Sequence, residues 1–382
     1  MTIRAYLDNA ATTAVAPEVL VAMNDVHHNE LGNPSSRHPL GLAADKRLRA
    51  AREVVAGKLE ARPEDVTFTS GGTEALALAL LGTVGGGGGR GGAKKGHVLV
   101  SAIEHSAVRN SAKLLGERGF EVQSIPVDRR GGFVEPGMVE ELLRPDTVLV
   151  AVMHVNNETG VEQPVADIAD VVRAEAPGAL MVVDAVQSFC KLRLSLPRSG
   201  ADAIAVSAHK INGPKGVGAL VTRPDLALAP LWGGGDQERS RRPGTENVAG
   251  VVGFAAAVEH FALDEMRVRR QMATLCDAVW DACSRARQLG SDNRRVQWIT
   301  TYEIPKARSE VLVNALGAEG VFVSSGSACH GRKNLKSPLH DAMGVQGSSG
   351  LLRLSLGRLT SDEEIEAGAE TLRRVLTNLA GS

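Results

Sequence analysis

Four apolar runs constrain the fold of this chain more than any other feature. Val98-Leu-Val100, Val148 to Val152, Leu180-Met-Val-Val183 and Asp202-Ala-Ile-Ala-Val206 read as strands, with little of the alternation of a half-solvated surface. Helical stretches lie between them, one reaching about Arg118 and another running from about Val165 to Ala174. Strands buried on both faces and joined through helices predict a mostly parallel sheet covered on both sides. Each run then gives way to polar residues: Glu104-His105-Ser106, His154-Val-Asn-Asn-Glu-Thr-Gly160, Asp184-Ala-Val-Gln187 and Ser207-Ala-His-Lys210. Ligands of open α/β sheets bind beyond the carboxyl ends of the strands, so these residues are expected to converge.

A fifth strand, Val66-Thr-Phe-Thr69, ends in Ser70-Gly-Gly-Thr-Glu74 before a helix from Ala75 to Leu81. Strand, glycine turn and helix N-terminus together present backbone N–H groups and a positive dipole end, a seat for a phosphate, with the Thr73 hydroxyl as a further donor. The glycine run Gly85 to Gly92 contains a G-x-G-x-x-G pattern at Gly86 to Gly91. It follows a helix-like run and precedes a strand, the reverse of a dinucleotide site, and is expected to be a flexible surface insertion.

The 382 residues suffice for a large α/β domain and a smaller one. Before the runs come a strand-like Ala5-Tyr-Leu7 and helical stretches at Pro17 to His28 and Gly41 to Lys58; after them comes one long helical stretch from about Val248 to Arg287. A boundary near Ala262 predicts a large domain over 16–261, with 1–15 and 262–382 forming a small mixed α and β domain. The 43 Lys+Arg balance 44 Asp+Glu, which excludes a global field for nucleic acid or an acidic membrane. No apolar run approaches membrane-spanning length, and the N-terminus lacks a secretory pattern, so a cytoplasmic protein is expected. Cys190, Cys276, Cys283 and Cys329 show no metal-ligand spacing, and no metal is expected. Cys276 and Cys283, seven residues apart on the expected helix, read as core.

Thr73, His105, Asn157, Asp184, Gln187, Ser207, His209 and Lys210 make a coherent set for one ligand. A lysine in a partly desolvated pocket loses its proton and condenses with an aldehyde. Pyridoxal 5'-phosphate needs such a lysine, a phosphate cradle, a flat group on its ring, a carboxylate at its ring nitrogen and donors near its phenolic oxygen. Ser-x-His-Lys alone would be an ordinary surface loop; its companions at consecutive strand ends change the reading.

Nearly the whole chain also resembles the cysteine desulfurases, of the class V aminotransferase group within the fold-type I pyridoxal phosphate enzymes. The motifs are Tyr6-Leu-Asp-Asn-Ala-Ala-Thr-Thr13, Gly32-Asn-Pro-Ser-Ser36, Thr69-Ser-Gly-Gly-Thr-Glu74, Glu104-His105, Asn156-Asn-Glu-Thr-Gly160, Asp184 to Gln187, Ser207 to Gly216, Arg242-Pro-Gly-Thr-Glu-Asn247, Ser324-Ser-Gly-Ser-Ala-Cys329 and Leu352-Arg-Leu-Ser-Leu-Gly-Arg358. The resemblance implies that Lys210 carries the cofactor, Asp184 pairs with its ring nitrogen, Gln187 and Asn157 bond the phenolic oxygen side and His105 stacks on the ring. Gly72, Thr73, Ser207 and His209 would hold the phosphate, with Thr245 reaching the site of a second subunit in a homodimer. Lys210, helped by His105, would move protons; Arg353 and Asn33 would bind L-cysteine. Cys329 would take the sulfur as a persulfide, its thiol made acidic by His330-Gly-Arg-Lys333 and Lys336, and pass it to an acceptor protein.

Acceptors in iron–sulfur cluster assembly, tRNA thiolation and DNA modification all stay open. So do a selenocysteine lyase, although Ser106 stands where the mammalian enzymes carry Asp, and a catalytically silent scaffold using the glycine insertion and the Arg239 to Arg242 loop. Cys190 stands where the family often has glycine. A C-terminal extension that some members use to dock an iron–sulfur scaffold is not expected after the last helix.

Overall fold

The computed structural model of the protein describes residues 3–84, 95–326 and 338–380. The glycine insertion, Cys329 and the basic residues around it lie outside the described residues. In chain order the strands are β1 Ala5–Tyr6, β2 Val66–Thr69, β3 His97–Ser101, β4 Glu121–Ile125, β5 Thr147–Met153, β6 Leu180–Asp184, β7 Ala203–Ser207, β8 Gly218–Thr222, β9 Arg287–Gln288, β10 Ile299–Ile304, β11 Val321–Phe322 and β12 Gly350–Ser355.

Seven of them form a central sheet in the order β2-β8-β7-β6-β5-β3-β4. Every neighbouring pair from β4 to β7 is parallel, and β8 lies antiparallel between β7 and β2. The chain is therefore α/β with a mostly parallel sheet. Alternate residues feed opposite faces: Val98, Val100, Leu149, Ala151, Leu180 and Val182 join one apolar cluster, Leu99, Val150, Val152, Met181 and Val183 another. Burial on both faces is why these strands read as continuous apolar runs. Glu121–Ile125 forms the β4 edge and is largely exposed, so no apolar run announced it. The apolar β8 likewise went unread.

A three-stranded antiparallel sheet, β12-β10-β9, has its own apolar cluster. Tyr302, Ile304, Leu352 and Leu354 meet Leu275 and Val279 of helix Glu265–Ala282 and Leu372 and Leu376 of helix Asp362–Ala380. Ala5 and Leu7 join that cluster, and β1 pairs in parallel with β11. One expectation is corrected: the single helical stretch from Val248 to Arg287 is two helices, Val248–His260 and Glu265–Ala282. Asp264 starts the second by accepting from Arg267 N at 2.9 Å. The helix ends at Ala282, so Cys283 lies just beyond it; both Cys276 and Cys283 are buried. No helix among the described residues is long and apolar enough to cross a membrane.

Candidate active site

The carboxyl ends of β3, β5, β6 and β7 and the turn after β2 open on one cavity of about 250 Å³. Its floor is set by short-range geometry at each strand end. After β2 the backbone turns through Gly71, φ +153°, into helix Gly72–Thr83, whose N-terminus carries no side-chain cap. A Cβ on Gly72 would fall 2.6 Å from Val186 Cγ2, so glycine lets this turn close against the β6 end. Thr73 follows on the cavity wall.

β7 ends at Ser207, and a single turn, Ala208–Lys210, points the next residues into the cavity. Ser207 Oγ is buried without a hydrogen-bond partner among the described residues. Lys210 Nζ donates to the carbonyls of Ala10 and Ala11, each at 2.6 Å. His209 Nδ1 lies 3.1 Å from Thr12 Oγ1. Burial, aided by Lys210, Lys215 and Lys191, pushes the His209 ring down to about 4, so it stays neutral at ordinary pH. The N-terminal segment thus closes over the lysine.

At the β6 end, Asp184 Oδ1 accepts from Val186 N at 2.9 Å. Burial pushes this carboxyl up to about 6, against the pull of the Val186 N–H and of Lys210. It lacks a full compensating cation, and a ring N–H⁺ would supply one. Gln187 Nε2 donates to Ala10 O at 2.9 Å, while its buried Oε1 has no partner.

At the β5 end, Asn156 Oδ1 accepts from Glu158 N and Thr159 N at 2.9 and 2.8 Å, fixing the turn that presents Asn157. At the β3 end, His105 caps the helix Ser106–Glu117, its Nδ1 accepting from Ala107 N at 3.2 Å, so the proton of a neutral ring sits on Nε2. Glu104 beside it is buried, and its Oε1 accepts from Ser101 Oγ and from Met153 N, both at 2.6 Å. Burial, with Asp184 next in effect, pushes Glu104 up to about 8. The sequence motif contained Glu104 without a role; nothing in the string shows that it ties β3 to β5 behind His105.

The small sheet contributes Arg353 from the middle of β12, 2% exposed. Its guanidinium donates to Asn157 O at 2.9 Å and pairs with Asp8 at 2.6 Å, while Nε has no partner among the described residues. Nothing in the motif Tyr6 to Thr13 shows this role for Asp8. Asn33 is exposed, its Oδ1 accepting from Ser35 N at 2.9 Å, and does not line this cavity; Thr245, expected at a second subunit's site, is exposed.

Residues 5–367 match the family described as Aminotransferase class-V. The chain belongs to the class-V aminotransferase family. Cysteine desulfurase IscS 1 of Archaeoglobus fulgidus is 36% identical over 98% of this class-V chain and 97% of its own. A solved NifS-like protein is 33% identical with a TM-score of 0.90, covering 99% of this chain and 100% of that one. The structure of SspA in complex with cysteine is 30% identical with a TM-score of 0.82, covering 94% and 100%.

Pyridoxal phosphate is the cofactor of class-V enzymes, and the cavity fits it. The partnerless Ser207 Oγ and Gln187 Oε1, the close glycine turn, the under-compensated Asp184 and the inward Lys210 are the features this group satisfies.

Proposed function

We propose that this chain is a pyridoxal phosphate-dependent cysteine desulfurase, releasing L-alanine and transferring sulfur to Cys329 and on to an acceptor protein. The observation that carries the reading is the single cavity in which Thr73, His105, Asn157, Asp184, Gln187, Ser207, His209 and Lys210 meet Arg353. Cysteine desulfurases among the relatives, and a neighbour solved with cysteine, supply the substrate.

When bound, pyridoxal phosphate supplies an electron sink for charge developing at the substrate Cα. Gly72, Thr73, Ser207 and His209 would hold its phosphate, His105 would stack on its ring, and Gln187 and Asn157 would face its phenolic oxygen. Asp184, ionised, would hold a proton on the ring nitrogen. Lys210 would be the base that takes the Cα proton and returns it, with His105 Nε2 as second donor. Arg353, held flat by Asp8 and the Asn157 carbonyl, presents its remaining N–H groups to the substrate carboxylate.

Cys329 as thiolate attacks the substrate sulfur. The new S–S bond forms as the Cβ–S bond breaks, the electron pair stays with carbon, and a proton completes the alanine methyl group.

The same reading includes a homodimer, supported by exposed Thr245 and by Leu20, Val21, Leu40 and Leu42, large apolar side chains left at the surface. It divides the chain into 16–261 and 1–15 with 262–382, supported by the separate apolar cluster around the small sheet. Asn33 would join the substrate site only after its loop moves.

Purified protein with the cofactor should absorb near the visible edge, change that band with L-cysteine, and release alanine and, with a thiol reductant, sulfide in equal amounts. A colourless protein after cofactor addition, or sulfide without alanine, would refute the proposal.

A further inference from the structure

β2 is the edge strand of the central sheet, and its outer side is not left open. Arg52 donates to Val66 O at 2.8 Å, and Glu238 Oε2 accepts from Phe68 N at 2.8 Å. The two side chains also grip each other through two hydrogen bonds of 2.7 Å, both of them buried. They occupy the hydrogen-bonding positions that a neighbouring strand would fill.

The loop carrying Glu238 is costly to hold. Glu238, Arg239 and Ser240 have φ of 48°, 57° and 61°, three consecutive non-glycine residues in the left-handed region. Each costs roughly 1 kcal/mol or more, and such runs persist only where their surroundings over-determine them. Beyond the Arg52 pair, several of the loop's contacts lead to one segment. Arg239 and Arg241 donate to Glu64 O at 2.9 and 3.3 Å, before β2. Past β2, Arg242 Nε donates to Glu74 Oε1 at 2.8 Å, and Glu74 Oε2 accepts from Ser70 N at 2.7 Å. The loop therefore holds residues 64–74 at both ends and along the edge. That segment is the strand, glycine turn and helix start that place Gly72 and Thr73. A buried ion pair is weak support for stability and better suited to fixing register.

We propose that the loop Gln237–Arg242 is a strut for the cofactor-phosphate turn, with Glu238 and Arg242 as positioning residues. This rests on the reading of Gly72 and Thr73 as the phosphate seat. The strut acts on the phosphate and not on the ring, which other strand ends hold.

The test titrates cofactor-free protein with pyridoxal 5'-phosphate and, separately, with pyridoxal, which lacks the phosphate, following absorbance. Glu238→Gln and Arg242→Met should each weaken pyridoxal phosphate binding about tenfold, the scale of one charged hydrogen bond, with pyridoxal binding unchanged within about twofold. Equal loss for both ligands would mean general destabilisation and overturn the proposal, as would an unchanged preference in folded variants. Should Glu238→Gln fail to fold, Arg242→Met, at a partly exposed pair, decides alone. Wild-type protein that binds both ligands equally would instead overturn the phosphate seat, and the functional reading with it.

Discussion

The central and the small sheet furnish the cavity in opposite ways. The central sheet offers polar groups from the loops just past its strands, and several are incompletely satisfied: Ser207 Oγ and Gln187 Oε1 lack partners, and the Asp184 carboxyl is pushed up to about 6 by burial. The small sheet offers one cation from a strand interior, Arg353, already paired with Asp8 at 2.6 Å. Groups left unsatisfied await a resident ligand that is rarely exchanged. A group pre-oriented by its own counter-ion suits a substrate that comes and goes, because little reordering accompanies each turnover. On this view the cofactor belongs to one sheet and the grip on substrate to the other.

The largest effects should fall on the central-sheet side. Lys210→Ala should lose the absorbance band of lysine-linked cofactor and lower turnover by at least about 10³-fold, since on the proposed reading it removes both attachment and the proton carrier. Cys329→Ala should lose persulfide as completely while keeping that absorbance. Persulfide in the Cys329→Ala protein would move the sulfur acceptor to another cysteine.

Next comes the other side of the comparison. Arg353→Met should raise KM for L-cysteine roughly 10- to 100-fold, the cost of lost charge-assisted hydrogen bonds to a carboxylate, with the cofactor band unchanged. Asp8→Asn should do the same more weakly by loosening the guanidinium. Loss of cofactor from either variant would break the division between the sheets.

The two sides also differed in legibility. Strand ends of the central sheet were readable because an apolar run followed by polar residues marks both the strand and its exit, as at Val183 before Asp184 and Val206 before Ser207. Arg353 interrupts the apolar run Leu351-Leu-Arg-Leu354, and only the family resemblance gave it a role; its partner Asp8 is 345 residues away in sequence. The break at Phe261–Asp264 was hidden by apolar residues that continue the helical pattern. Glu238 could not be read at all, since its partners Arg52 and Phe68 meet it only once the edge strand is in place.

A smaller effect separates buried carboxyls by pH. In cofactor-free protein, Glu104 is raised from 4.5 to about 8 and Asp184 from 3.8 to about 6, so the unfolded chain releases these protons first. Their contribution to stability is full below the ordinary values and is lost as pH rises through the raised ones, with a slope of up to about 1.4 kcal/mol per pH unit for each group. His209, lowered from 6.5 to about 4, acts in the opposite sense below its ordinary value. Above about pH 7 Lys191, whose ammonium burial pushes down from 10.5 to about 7, also acts in the opposite sense, so between about pH 6.5 and 8 Glu104 is isolated only in the difference between a Glu104 variant and its parent. Glu104→Gln should gain stability relative to the parent as pH rises across that window in denaturant unfolding; parallel profiles would show that Glu104 ionises normally.

The smallest effect tests whether the central-sheet loops carry strain of their own. Cys190, in the turn after Gln187, has φ +62°, the left-handed conformation that glycine adopts freely, which accounts physically for glycine at this position in the resembled family. Its side chain packs against the main apolar cluster. Cys190→Ala keeps the strain and loses the sulfur contacts, so it should destabilise by about 1 kcal/mol. Cys190→Gly loses slightly more packing and gains unfolded-chain entropy, yet relieves strain of roughly 1 kcal/mol or more, leaving it near the parent. Elsewhere in an ordered turn alanine is the more stable of the two. Here glycine should exceed alanine by about 1 kcal/mol in denaturant unfolding, and the ordinary order would mean that the turn relaxes around a side chain without strain.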